Sequence, residues 1–388
     1  MAIRPFTTFR HAVTAFMLLI AALISVEIWM RVRNVPSAMV VASQVPISDQ
    51  SLLVPSAVSH HELRRLQTTK HQASGRETPV TFRVNSLGCR GDEVETVAKV
   101  GTRRILLLGD DTICGTAVAE NETVSAWLKK FLSKTTTANV EVINGGVPGY
   151  CPLLSALKFE HDLAKLKPDV VLLHVDMTDI ADDASYRSLV LQEGNHAVCS
   201  HATLRLRPKL ENSLIQFVKQ SATASWVLTK TRQHGPELLT VSTSSLTDDV
   251  GLNWIVDNPP DLRLQVDHAL TPIRDLQDSV VRSGGRLIVT TAPVLWQIVA
   301  AEEAPEMSRR CQINGTTPFS SRFPFEILAS FCKESQIDFC DTSTAFHRDQ
   351  AAKLFSKETT ALSRLGMALY AREIARHFLA DPPPQWNE

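Results

Sequence analysis

With 388 residues, 44% of them hydrophobic and 21% charged, the chain has ordinary globular composition and suffices for one large domain or two smaller ones. A formal net charge of −1 removes the general electrostatic reason to expect nucleic acid as a partner, and none is expected. The 20 prolines and 16 glycines are too few for a fibrous or wholly disordered chain, and seven dispersed cysteines without a CxxC pair argue against a zinc knuckle or a disulfide framework.

The first element is apolar. Residues 12–26 (AVTAFMLLIAALISV) carry no charge, and the run resumes past Glu27 with Ile28, Trp29 and Met30. A helix over 12–30 would be about 28 Å long, enough to cross a hydrocarbon core. Glu27 near one end can reach the headgroups, and Trp29 suits the interface. The nearest small-residue cleavage site, ending at Ala42, lies too far downstream, so an uncleaved signal anchor over residues 1–33 is favoured over a cleaved signal peptide or a buried soluble helix. The chain is therefore expected in a membrane as a single-pass protein with an extracytoplasmic soluble part. Arginines flank both ends (Arg4 and Arg10, Arg31 and Arg33), which leaves orientation open. Residues 34–78 are polar and aperiodic, as a juxtamembrane linker would be.

The main domain is expected over 79–381, with a tail at 382–388. Continuous apolar runs at 104–108, 140–143, 169–174, 286–291 and 337–340 predict strands buried on both faces. Helix-compatible stretches at 122–134, 153–166, 262–282, 325–335 and 363–379 fall between and after them. That alternation predicts an α/β fold with a parallel five-stranded sheet between two helical layers. Residues 182–260 interrupt it with an amphipathic stretch (213–230) and a polar tract, and are read as an insertion over the sheet edge or pocket. Ligands of parallel sheets sit beyond the strands' carboxyl ends, which directs attention to 109–115, 144–150, 175–180 and the segment before the last helix.

Those segments carry a resemblance. RRILLLGDDTICG is similar to the first block of the SGNH (GDSL-type) hydrolases, a strand, Gly-Asp-Ser and a short helix. FRVNSLGCRGDE resembles the Asn-Ser-x-Gly-x-Arg-Gly lead-in of membrane-anchored members, and VEVINGGVPGY the second block. KPDVVLLHVDMTDI resembles the third block, Gly-x-Asn-Asp, and KLFSKETTALSRLGMALYAREIARHFL the last, Asp-x-x-His-Leu-Ser-x-x-Gly. The resemblance spans roughly residues 80–380 and implies the flavodoxin-like three-layer α/β/α sandwich of that superfamily.

It also implies where an esterase would keep its machinery. The nucleophile position falls on Asp111, the oxyanion glycine on Gly146, and the oxyanion asparagine on Thr178, with Asp176 where that block has glycine. The triad acid falls on Glu358 and the base on Ala361, with Leu362, Ser363 and Gly366 fixing the register. A carboxylate offers no hydroxyl proton and repels an oxyanion, and alanine accepts no proton. Asp111 is expected instead to cap the helix that follows it.

Other cleft candidates are Asp110, His174 and Asp179; Thr112 and His347 are less well placed. A cation site from Asp110, Asp111, Asp176 and Asp179 is conceivable. It is set aside because Asp110 in such a turn bonds backbone amides, so no metal or cofactor is expected. Cys114 and Cys151 follow blocks that adjoin in the family fold and are candidates for a bridge. The expected function is a catalytically degenerate, membrane-anchored SGNH hydrolase-like protein. Its cleft would recognise a polysaccharide or acylated glycan, since many anchored relatives are associated with polysaccharide O-acetylation or deacetylation. The alternatives are an ester hydrolase or O-acyltransferase with non-family catalytic residues, and a purely structural protein.

Overall fold

In the computed structural model of the protein, the described residues are 52–72, 79–193, 196–201, 252–305, 318–356 and 360–382, with isolated positions between and beyond them. The apolar segment at 12–30 and most of the interruption at 182–260 lie outside them. Among the described residues, no helix is long and apolar enough to cross a membrane.

Leu53–Pro55 (β1) pairs antiparallel with His61–Leu63 (β2), and Gln67–His71 (β3) with Val80–Val84 (β4). Thr102–Leu108 (β5) leads through Asp111–Cys114 (α1) and Val124–Thr135 (α2) to Asn139–Asn144 (β6). Pro152–Lys158 (α3) precedes Val170–His174 (β7), Asp179–Arg187 (α4), and the hairpin of Val190–Glu193 (β8) and His196–Cys199 (β9). Arg263–Arg282 (α5), Arg286–Thr291 (β10), Phe323–Glu334 (α6), Asp338–Asp341 (β11), Ala351–Leu354 (α7) and Arg364–Ala380 (α8) follow.

The five strands β11, β10, β7, β5 and β6 form one sheet in that order, every pairing parallel. Ile105 to Leu108 and the whole of β7 are buried, which requires cover on both faces of the sheet. One set of helices, α2 and α8, pack on each other, with α2 along β6; another, α3 and α4, pack on α5, which lies along β10. From β5 the chain steps outward to β6, whereas from β7 it steps the opposite way to β10. The carboxyl ends of β5 and β7 therefore flank the crevice at which sheets of this kind bind ligands.

Three expectations need correction. The linker expected over 34–78 is structured from residue 52 onward. Leu52 and Leu63 join Phe82, Val84, Val147 and Tyr150 in a second apolar core, and the Tyr150 hydroxyl donates to the His61 carbonyl at 2.7 Å. Strands of three to five residues are too short to declare a period, which hides them in the sequence. The helix expected over 153–166 is α3 followed by a π turn at Phe159–Leu163 and a 3-10 turn at Ala164–Leu166. Finally, Cys114 and Cys151 are both free and buried, so no bridge joins them.

Candidate functional site

The site begins where β5 ends. Gly109 has φ +144°, and a Cβ there would stand 2.9 Å from the Cβ of His174, so only glycine lets the ends of β5 and β7 close together. Asp110 is the N-cap of α1, its carboxylate accepting from the Thr112 amide at 2.9 Å. The cap is thus Asp110 and not Asp111. Asp111 is the first helical residue, exposed, and accepts from the Thr116 hydroxyl at 2.9 Å. At the other end of α1, the lead-in segment closes the turn: the Arg90 guanidinium donates to the carbonyls of Cys114 (2.8 Å) and Val118 (2.9 Å).

After β6, Gly146 lies against α1 so closely that a Cβ would come within 2.4 Å of the Cys114 amide nitrogen. Its own N–H, the expected oxyanion donor, donates to Asn144 Oδ1 at 3.1 Å. The Asn144 amide in turn donates to the Ile113 carbonyl at 2.7 Å, locking the two blocks together.

Beyond β7 the chain turns on its own carboxylates. Asp176 Oδ1 accepts from both the amide and the hydroxyl of Thr178 at 2.9 Å, and Asp179 Oδ2 accepts from the Asp176 amide at 2.9 Å. Thr178 is exposed with its hydroxyl engaged in this turn. His174 is buried at the strand end, Nδ1 2.7 Å from the Tyr370 hydroxyl, which lies 3.2 Å from Thr290 Oγ1. His174 Nε2 faces Asp110 Oδ1 at 3.9 Å and Asp176 Oδ2 at 3.6 Å.

The structure therefore brings Asp110, His174, Asp176 and Asp179 together, with Asp111 and Thr178 at the exposed rim. The last block does not complete a triad. Glu358 lies outside the described residues; Ala361 is half-buried, its carbonyl accepting from the Ser356 amide at 2.8 Å. Ser363 caps α8, and a Cβ on Gly366 would fall 2.1 Å from the Leu354 carbonyl oxygen, so both residues serve the packing of α8. Tyr370, Thr290 and Asp182 were not singled out in the sequence. The only signal for Thr290 was a polar end to an apolar strand.

Crowding sets the charges. Burial, then the neighbouring Asp176 and Asp111, push the Asp110 carboxyl well above the usual carboxylate range; burial, then Asp176 and Asp110, do the same to Asp179. Burial, then Asp176, push Asp182 up to about 7. Burial also opposes ionisation of Asp176, but the His174 imidazole and the two Thr178 donors outweigh it and hold that group low. The result is one carboxylate held low among neighbours that are pushed up.

No family model matches the chain, and no curated protein matches it. Among solved structures, an acetylxylan esterase from Geobacillus stearothermophilus, Axe2, is similar at 15% identity with a TM-score of 0.38, covering 72% of this chain and 96% of that one. A lipolytic protein of the G-D-S-L family from Desulfitobacterium hafniense DCB-2 is similar at 14% identity with a TM-score of 0.36, covering 71% of this chain and 98% of that one. Both likenesses are loose, and no role of a residue rests on them.

Proposed function

We propose that the chain is a membrane-anchored, SGNH hydrolase-like protein whose cleft at the ends of β5 and β7 binds a glycan or acylated polymer without cleaving it by serine chemistry. The observation that carries this reading is at position 111, where the resemblance puts the nucleophile. An exposed carboxylate stands there, accepting from Thr116, and the position of the base is Ala361. His174 is an imidazole at the cleft, but its hydroxyl partner is Tyr370, a fully buried phenol that burial holds well above its ordinary pKa. It is no nucleophile for a bound ester. Asp110 and Asp179, pushed toward the protonated form, and Asp176, held toward the ionised form, together offer both donors and acceptors to ligand oxygens and hydroxyls. That mixture suits a polyhydroxylated ligand, and the apolar segment at 12–30 would keep it at a membrane surface.

The test is hydrolysis of 4-nitrophenyl acetate and of an acetylated oligosaccharide by the purified full chain, with a chelator present. The expected outcome is no turnover above buffer, together with saturable binding of the oligosaccharide. Turnover that Asp111→Ala or His174→Ala abolishes would overturn the reading and establish instead an ester hydrolase or acyltransferase with non-family residues.

A further inference from the structure

Three ligand atoms converge where the ends of β5 and β7 meet. A carboxylate oxygen of Asp110, a ring nitrogen of His174 and a carboxylate oxygen of Asp176 lie within 4.8 Å of one another. Acidic clusters are common; the imidazole sets this one apart. His174 is 2% exposed, yet its Nε2 has no hydrogen-bond partner. A buried polar atom left in that state costs free energy unless something occupies the space before it. The carboxylate oxygens facing it stand at 3.9 Å (Asp110 Oδ1) and 3.6 Å (Asp176 Oδ2), too far for hydrogen bonds. Two ligand atoms each about 2.1 Å from one tetrahedral ion lie about 3.4 Å apart. The two spacings from His174 Nε2 exceed that by roughly 0.2 and 0.5 Å, a gap that small side-chain shifts would close.

We propose that Asp110, His174 and Asp176 form a binding site for one divalent transition-metal ion of the Zn²⁺ class. The donor set gives the class, because an imidazole nitrogen beside two carboxylates suits Zn²⁺ and its neighbours, whereas Mg²⁺ and Ca²⁺ take all-oxygen shells. Two of the ligands are held from behind, as metal ligands are. His174 Nδ1 lies 2.7 Å from the Tyr370 hydroxyl; with a metal bound, Nδ1 would carry the proton and donate to that hydroxyl, and Nε2 would be the ligand atom on the side of the two carboxylates. Asp176 Oδ1 is occupied by the Thr178 amide and hydroxyl, leaving Oδ2 toward His174. The engagement of Asp110 with a backbone amide, which spoke against a metal in the sequence, amounts to one bond from Thr112 and does not exhaust its lone pairs. The site shares Asp110 and Asp176 with the proposed glycan cleft, but its test is made with no glycan present, so either reading can fail alone.

The experiment titrates Co²⁺ into chelator-stripped full chain, followed by its visible absorption, with Zn²⁺ and Mg²⁺ as competitors. Expected are saturation at one equivalent, bands of a nitrogen and oxygen ligand set without thiolate charge transfer, and displacement by Zn²⁺ but not by Mg²⁺. Asp176→Asn, the isosteric variant least apt to unfold the domain, and His174→Ala should abolish stoichiometric binding. Tyr370→Phe should weaken it about 10-fold or more by freeing the imidazole. A wild-type protein that takes up no stoichiometric Co²⁺ overturns the proposal, whatever the variants do. So does a thiolate band, or binding that survives Asp176→Asn but is lost on changing His161 and His196, which form a separate, more exposed group with Glu160.

Discussion

Arg104 and His174 are both almost wholly buried, on adjacent strands of one sheet, and they are treated in opposite ways. The guanidinium near the amino end of β5 meets Glu141 at 2.6 Å and the carbonyls of Thr96, Leu166 and Glu95 at 3.0, 2.8 and 2.8 Å. The imidazole at the carboxyl end of β7 is bonded on one nitrogen and bare on the other. Sequences that fold well satisfy their buried polar groups, and depart from that rule where function demands it. At one end of the sheet the buried cation has its partners, and at the other the buried imidazole has one of its two nitrogens bonded.

That contrast can be broken in order of size. Arg104→Ala strips the partner from Glu141 and the carbonyl acceptors, and should cost about 3–5 kcal/mol in urea denaturation. A loss under about 1 kcal/mol would show that the amino end does not depend on its ion pair.

Next comes pH. Folding raises Asp182 from its ordinary value of 3.8 to about 7, so the folded chain takes up a proton that the unfolded chain releases. Stability from this group is therefore greatest below the ordinary carboxylate value and is lost as pH climbs to about 7. In chelator, Asp182→Asn should remove about 2 kcal/mol from the stability that the wild type loses between pH 5 and pH 8, leaving the share of Asp110 and Asp179 in place. A slope unchanged in the variant would remove Asp182 from the account.

The smallest effect belongs to the bare imidazole. Without metal, His174→Phe keeps most of the ring volume and gives up one bond to Tyr370, and should cost about 1 kcal/mol or less in the same denaturation. A loss approaching that of Arg104→Ala would mean that His174 is a structural residue after all.

How much of this was legible in the sequence follows from the same physics. The five parallel strands were readable because burial on both faces demands continuous apolar runs, and Arg286–Thr291 coincides with its run of sequence. The break after α3 was not. Its π turn lets consecutive Leu157, Lys158 and Phe159 all be buried, which no regular helical period announces. At the site, chain order and the rule about strand ends brought Asp110, His174, Asp176 and Asp179 into view together. The cap was misplaced by one residue because adjacent aspartates offer the same oxygen to the same amides. Tyr370 was invisible, since the bond that fixes His174 spans 196 residues of chain.

The side chain of Asn144 carries a last consequence. By accepting from the Gly146 N–H it occupies the donor that the resemblance assigns to an oxyanion site. Placing a serine at 111 and a histidine at 361 would set a hydroxyl and an imidazole in a turn whose amide donor is already engaged. An ester-cleaving variant of this chain would thus need a change at Asn144 as well, a residue that no signature comparison includes.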